Sequence, residues 1–192
     1  MKISVFGLGY VGCVPTIVEK DIDQIIKQEF NKGKISATVS ASEAIKATTL
    51  SIICVGTPSS PHGHLNLNFI YKTAEQIGEA LKEKEDFHVV VIRSTVLPGT
   101  NQKIGEIIES FSGKKRGEGF SVVSNPEFLR EGSAVKDYYS PAVTVIGGDH
   151  NEALETVSSL YKDLGSPIEI TGIEEAEIIK YVNNSFHASS LF

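Results

Sequence analysis

Three glycines stand directly after the first apolar run of the chain, in the sequence Gly7-Leu8-Gly9-Tyr10-Val11-Gly12. The run before them, Ile3 to Phe6, predicts a β-strand. In this spacing, the glycines permit a tight turn, a close approach of the backbone to a pyrophosphate and close packing of the following helix. The N-terminus of that helix favours negative charge because its N–H groups are unpaired. The motif therefore predicts a strand–turn–helix unit that binds a dinucleotide. A glycine-rich turn without a ligand is the alternative. The residues predicted to contact the cofactor are Gly7, Gly9, Tyr10, Val11 and Gly12.

Short apolar runs alternate with amphipathic stretches along the rest of the chain, which is the pattern of strands that feed helices in a parallel sheet. The runs are rich in β-branched residues and do not alternate with polar ones, as in strands covered on both faces. We predict an α/β fold with a doubly wound, mostly parallel, Rossmann-like sheet. The further predicted strands are Leu50 to Val55, His88 to Ile92, Phe120 to Val123, Val143 to Ile146 and Ile168 to Ile170. The predicted helices are Phe69 to Lys84, Asn101 to Phe111, Asn151 to Leu164 and Glu174 to Leu191.

The region after the glycine motif departs from this pattern. A dinucleotide-binding unit continues with a helix, a second strand and, about 20 residues beyond the glycines, an acid for the ribose. Pro15 would interrupt that helix in its second turn. Val18 to Phe30 has the periodicity of a helix, so Asp21 and Asp23 are predicted to be surface charges rather than the ribose acid. We expect that a segment near Val14 and Pro15 is missing from the chain.

Composition argues against several classes of partner. The 192 residues carry a net charge of −6, and an acidic chain lacks the basic face that binds a nucleic-acid backbone. No apolar stretch approaches the roughly 18 residues of a membrane span, and no signal peptide is recognisable, so we expect a cytoplasmic protein without a membrane partner. Cys13 and Cys54 lie in apolar surroundings, which predicts buried thiols in a reducing compartment. Neither these cysteines nor His62 and His64 have the spacing of a metal site.

Four further motifs follow the glycine motif in order. They are CVGTP at Cys54 to Pro58, RSTVLPGT at Arg93 to Thr100, SNPEFLREGSAVKDY at Ser124 to Tyr138, and KYVNN at Lys180 to Asn184. Together with FGLGYVG at Phe6 to Gly12, they resemble the UDP-glucose/GDP-mannose dehydrogenase family over nearly the whole chain. Short-chain reductases and 6-phosphogluconate-type dehydrogenases share the glycine motif, but NPEFLRE argues against both.

This resemblance implies an NAD-dependent nucleotide-sugar 6-dehydrogenase. Such an enzyme oxidises a sugar C6 alcohol to a carboxylate in two hydride transfers to NAD, holds the aldehyde as a cysteine adduct, and releases the acid with water. The runs DYYSPAVTVIG at Asp137 to Gly147 and FHA at Phe186 to Ala188 are similar to GDP-mannose enzymes. The resemblance therefore favours GDP-mannose over UDP-glucose or UDP-N-acetyl-hexosamines. A non-catalytic module that binds NAD and dimerises remains an alternative.

The resemblance assigns two threonines to the cofactor side of the site. Thr57 matches a family residue that lies against NAD, and it follows a predicted strand, where open parallel sheets bind ligands. The alternative for Thr57 is a simple turn with Pro58. Thr95 matches the threonine that orders the catalytic water, and we assign it to both the cofactor and the catalytic site. The alternative for Thr95 is a helix-capping hydroxyl.

Glu127 and Glu131 match the two glutamates of the family. One is implicated with the water that takes the alcohol proton, and the other in acid–base work during thioester formation and hydrolysis. A carboxylate suits these tasks because burial or a neighbouring charge can shift the pKa of a glutamate toward the working pH. The alternative is that Arg130 merely pairs with one of them.

Lys180 and Asn184 share one face of the last predicted helix because they are four residues apart. The resemblance implies that they hold the reacting C6 oxygen, where an ammonium and an amide donor would stabilise developing negative charge. His187 extends this face. The alternative is a solvated face, because an apolar stripe on the opposite side already accounts for the helix. That stripe consists of Ile178, Ile179, Val182 and Phe186.

The resemblance also divides the chain. Residues 1–172 correspond to the NAD-binding domain, and residues 173–192 to the start of a central helix that, in the family, forms a homodimer or higher oligomer. The family nucleophile belongs to a GGSC-type motif beyond this helix, and neither that motif nor the C-terminal nucleotide-sugar domain is present. We expect that these residues alone cannot complete the four-electron oxidation.

Overall fold

A computed structural model describes residues 1–7, 22–59, 64–130 and 132–189, without the side chains of residues 187 and 188. In these ranges the chain forms one six-stranded sheet in the order β1-β2-β3-β4-β5-β6. The strands are β1 (Ile3–Phe6), β2 (Leu50–Ile53), β3 (His88–Ile92), β4 (Phe120–Ser124), β5 (Thr144–Gly147) and β6 (Ile168–Thr171). All neighbouring strands are parallel except β4 and β5, which meet antiparallel. The predicted α/β fold with a mostly parallel sheet is confirmed.

Helices cover both faces of this sheet. Ile77 and Ile104 pack with β3 and β4 on one face, and Val157 packs on the other face. This two-sided cover explains why the strands are continuously apolar, and it confirms the doubly wound arrangement. The described helices are α1 (Ile22–Asn31), α2 (Ala41–Ala47), α3 (Asn68–Leu81), α4 (Thr100–Ser112), α5 (Ala134–Tyr139), α6 (Asn151–Ser158) and α7 (Ile173–Ser189), with a short 3-10 helix at Lys162–Leu164.

The predicted helix from Asn151 to Leu164 was wrong in its second half. Helix α6 ends at Ser158, and only a 3-10 turn follows at Lys162–Leu164. The Ser159 hydroxyl donates to the carbonyl of Thr156 at 2.6 Å. Serine and threonine hydroxyls that bond to nearby carbonyls compete with helix geometry. Two predicted elements also end early, since β2 stops at Ile53 and α3 at Leu81.

The N-terminal region leaves apolar groups uncovered. Within the described residues, β1 is an edge strand, and its Ile3 and Val5 are 38% and 45% exposed. Helix α1 confirms the helical periodicity predicted up to Phe30, yet it buries none of its residues. In the doubly wound order 3-2-1-4-5-6, two further strands lie beside the first one. Pro15, Asp21 and the rest of residues 8–21 lie outside the described residues.

Helix α7 lies across the sheet near the ends of β4 and β5. Its Ala176 comes so close to Gly147 that a Cβ on that glycine would stand 2.5 Å from the Ala176 Cβ. Glycine at the end of β5 therefore lets α7 sit directly on the sheet. None of the described helices is both long and apolar enough to span a membrane.

Candidate active site

A buried contact joins α7 to the loop that follows β4. The Lys180 ammonium donates to the backbone carbonyl of Glu127 at 2.5 Å and to its Oε1 at 3.0 Å. The second carboxylate oxygen of Glu127 accepts from the N–H of Leu129 at 2.6 Å. Both charged side chains are only 10% exposed. A buried charge is tolerated when it is paired and hydrogen-bonded, as both are here.

This pair lies in the wall of a cavity of about 680 Å³. Asn184 lines the same cavity one turn beyond Lys180. The structure thus brings together three of the predicted catalytic residues, Glu127, Lys180 and Asn184. The alternative of a solvated helix face is wrong for Lys180, which is buried. Asn184 is exposed. Glu131 and the side chain of His187 lie outside the described residues.

Helix α7 turns most of its predicted apolar stripe outward, although Ile179 is half-buried and lines the cavity. Ile178 and Val182 are 43% and 61% exposed, while Ala176, Glu177 and Lys180 are buried. The expectation that α7 packs on the protein through this apolar stripe was therefore wrong. In the described part of the chain, α7 instead packs through the face that carries its buried acid and lysine.

Arg130 does not pair with Glu127. Its guanidinium holds Asp137 through Nη2 at 2.7 Å and Nε at 3.0 Å, and Ser133 donates to the same carboxylate. The hydrogen bond from Arg130 lowers the pKa of Asp137 to about 2. The alternative of an Arg130–Glu127 pair was wrong because Lys180 already fills the place beside Glu127. The sequence did not point to Asp137, because its contact with Arg130 depends on how α5, which carries Asp137, packs beside Arg130.

The two threonines meet at the carboxyl ends of β2 and β3. The Thr57 hydroxyl donates to the backbone carbonyl of Thr95 at 3.0 Å. Thr95 is not a helix cap, because α4 begins at Thr100 with Gly99 as its N-cap. That alternative was wrong. This pair is not among the residues that line the cavity, so the predicted residues form two groups, one on each side of β3.

Gly7 fits the first glycine of a dinucleotide-binding turn. Its φ is +103°, and a Cβ would stand 2.7 Å from the carbonyl oxygen of Cys54. Both features exclude a side chain at this position. Gly9, Tyr10, Val11 and Gly12 lie outside the described residues.

A buried polar cluster at the base of the cavity escaped sequence reasoning. Arg93 Nη1 donates to Asn125 Oδ1 at 2.7 Å and to the Tyr161 hydroxyl at 2.9 Å. Asn125 Nδ2 donates in turn to the carbonyl of Val145 at 2.8 Å. Burial raises the pKa of Tyr161. The cluster ties the ends of β3, β4 and β5 together, directly before Glu127. Arg93 and Asn125 lie in the recognised motifs, but nothing in the sequence pointed to Tyr161.

Cys54 is a buried free thiol, as predicted. Burial raises its pKa to about 11. Because the thiolate is the nucleophile, this shift argues against a reactive role for Cys54 near neutral pH. Among the residues that the structure describes, no group of three or more potential ligands is placed to hold a metal ion.

Known proteins that are similar to this chain identify its family. The model of the UDP-glucose/GDP-mannose dehydrogenase family, NAD binding domain, matches residues 13–165. The chain belongs to this family. It is 40% identical to the GDP-mannose 6-dehydrogenase of Azotobacter vinelandii over an alignment that covers all of the chain and 51% of that relative. The chain therefore spans about half the length of the curated relatives it matches.

Solved structures of the family have the same fold. A ternary complex of GDP-mannose dehydrogenase from Pseudomonas aeruginosa superposes with a TM-score of 0.96 at 39% identity, over 100% of this chain and 51% of that one. A UDP-glucose dehydrogenase from the archaeon Pyrobaculum islandicum gives a TM-score of 0.90 at 33% identity, over 96% and 49%. The predicted family and the prediction of NAD as its cofactor are confirmed.

Proposed function

We propose that the complete protein oxidises the C6 alcohol of GDP-mannose to the uronic acid by two successive hydride transfers to NAD. The observation that carries this proposal is the buried contact between Lys180 and Glu127, with Asn184 on the wall of the same cavity. Membership in the family supports a nucleotide sugar as the substrate, and the similarity to GDP-mannose 6-dehydrogenase favours GDP-mannose.

Lys180 and Asn184 hold the reacting C6 oxygen in this proposal. An ammonium has three donors, and Lys180 uses two of them on Glu127, which leaves one for a substrate oxygen. A positive charge there stabilises the negative charge that develops as the alcohol loses its proton. Glu127, fixed through both carboxylate oxygens, accepts that proton through a water, and Glu131 serves acid–base work in the later steps.

The cofactor side of the proposed site consists of the glycine turn and the two threonines. When bound, NAD accepts the hydride in both oxidations. Gly7, Gly9, Tyr10, Val11 and Gly12 would hold its pyrophosphate by backbone N–H groups. Thr57 holds the loop of Thr95 in place. Thr95 would contact the cofactor and order the catalytic water.

We also propose that residues 1–172 are the NAD-binding domain and that residues 173–192 begin a central helix. The alignment with the Azotobacter relative extends over 221 positions, whereas the chain has 192 residues. That excess supports a segment missing from this chain, and we propose that it lies near residues 14 and 15, where Pro15 follows closely on the glycine motif. A C-terminal domain would supply the catalytic cysteine and grip the nucleotide.

Helix α7 is the proposed site of homodimerisation. Ile178 and Val182 are one turn apart on its outer face and are 43% and 61% exposed. Complete burial of a fully exposed side chain of this size stabilises by about 1.5–3 kcal/mol, so covering the exposed half of each contributes roughly half of that to association. The buried free thiol of Cys54 supports the proposal that the protein works in the cytoplasm, where thiols stay reduced.

Oxidation of a UDP sugar is the second candidate, supported by the likeness to a UDP-glucose dehydrogenase. The test is the rate of NADH formation by the full-length gene product with GDP-mannose, UDP-glucose and UDP-N-acetyl-hexosamines supplied separately. The proposal predicts preference for GDP-mannose. A preference for a UDP sugar would keep the chemistry and overturn the substrate. NAD binding without reduction of NAD by any sugar would favour a non-catalytic module.

A further inference from the structure

Glu177 is a buried acid of α7 that has no assigned role. It is 2% exposed. Its Oε2 accepts from the N–H of Gly99 at 2.7 Å, and its Oε1 accepts from the N–H of Asn101 at 2.7 Å. Gly99 is the N-cap of α4, and it has no side chain that could accept from the N–H of Asn101. A carboxylate from a distant helix therefore takes the place of the usual capping side chain, where the helix dipole favours negative charge.

The same face of α7 is thus held at two points one turn apart. Glu177 binds the loop that follows β3, and Lys180 binds the loop that follows β4. Residues three apart lie side by side on a helix. The contact of Ala176 with Gly147 fixes how far α7 stands from the sheet. The loop that Glu177 binds is also the one that carries Thr95.

We infer that Glu177 is a positioning residue that fixes the rotation and height of α7 and thereby sets the place of the Lys180 ammonium beside Glu127. It also ties the loop of Thr95, on the cofactor side, to the helix that carries the sugar-side residues. The kinetic part of this inference rests on the proposed function. The geometric part does not, because it concerns only how α7 is held.

The test is Glu177→Gln in the full-length gene product. Glutamine has the same size, but its single oxygen can accept from one backbone N–H while its amide group opposes the other. Displacing a catalytic group by about 1 Å can cost on the order of 100-fold in rate. We expect kcat to fall by about 10- to 100-fold with little change in the KM for NAD or for the sugar. The matched control is Glu175→Gln, on the exposed side of the same helix, which should leave kcat unchanged.

Amide hydrogen exchange provides a readout that is independent of activity. Loss of a local cap would speed exchange only at residues 99–101, whereas loss of positioning would also speed exchange at residues 127–130, around Glu127. A lower melting temperature with unchanged kcat and unchanged exchange at residues 127–130 would overturn the inference.

If the wild-type protein fails to reduce NAD, the proposed function fails, and the exchange at residues 127–130 still decides the inference. Glu177→Asp is the second variant, in case the glutamine variant does not fold. It keeps the charge but withdraws the carboxylate by one methylene group, and we expect a smaller change in the same direction in both readouts. Unchanged kcat and exchange in a folded Glu177→Asp protein would also overturn the inference.

Discussion

Lys180 and Glu127 depend on each other because both are buried and each is the charged partner of the other. Their contact joins residues that are 53 positions apart in the chain. Removal of one member of a buried pair leaves an uncompensated charge. This destabilises the folded protein by more than the intact pair stabilises it.

We predict that Lys180→Met lowers the free energy of unfolding by about 3 kcal/mol and abolishes NADH formation by the full-length protein. Denaturant unfolding measures the first effect, and an activity assay on the folded fraction measures the second. The control is Lys136→Met, which removes an exposed lysine of α5. Activity near the wild-type level in a folded Lys180→Met protein would contradict the role of this lysine.

The resemblance allowed Lys180, Asn184 and Glu127 to be singled out from the sequence, because each stands in a recognisable motif. The contact between Lys180 and Glu127 could not be predicted, since it depends on how α7 packs over the sheet. Tyr161 lies in none of the recognised motifs, so the sequence did not mark it as part of the site. It joins the cluster of Arg93 and Asn125 only because α6 ends early and the following turn brings the ring back to the sheet.

The strands are linked by a buried polar chain at the beginning of β1, β2 and β3. Ser4 Oγ lies 2.7 Å from Ser51 Oγ, which lies 2.7 Å from Nε2 of His88. Burial lowers the pKa of His88 to about 4, so the folded protein holds this histidine neutral. In the unfolded chain, the same side chain titrates near its ordinary value of 6.5.

This difference predicts a loss of stability in weak acid. The unfolded state binds a proton below about pH 6.5 that the folded state takes up only near pH 4. The contribution of His88 is therefore fully present above pH 6.5 and is lost as the pH falls toward 4, by up to about 3 kcal/mol. Unfolding free energies at several pH values should show a shallower slope for His88→Gln than for the wild type. Equal slopes would contradict the assignment.

The sequence predicted the long helices and the buried strands, but it did not predict the short helices. Helices α3 and α4 have several turns with buried residues at regular spacing, so their periodicity stands out. Helices α2 and α5 bury one residue each and escaped notice. For α2, the only local signal was the capping Ser40, whose hydroxyl accepts from the N–H of Glu43 at 3.2 Å.

Among the described residues, one helix-covered sheet carries two groups of predicted site residues at the carboxyl ends of β2, β3 and β4. Thr57 and Thr95 lie on one side of β3, and Glu127 with Lys180 lies on the other. Helix α7 contacts the loop after β3 through Glu177 and the loop after β4 through Lys180. It is therefore placed to fix the positions of the two groups relative to each other. The chain covers about half of its relatives, and the described residues leave the β1 edge of the sheet uncovered.

The decisive measurement is the stoichiometry of NAD reduction by the purified full-length gene product with limiting GDP-mannose. We predict two NADH for each sugar consumed, with the uronic acid as product. NAD binding without any NADH, with GDP-mannose and with the UDP sugars alike, would show that the protein does not carry out this oxidation.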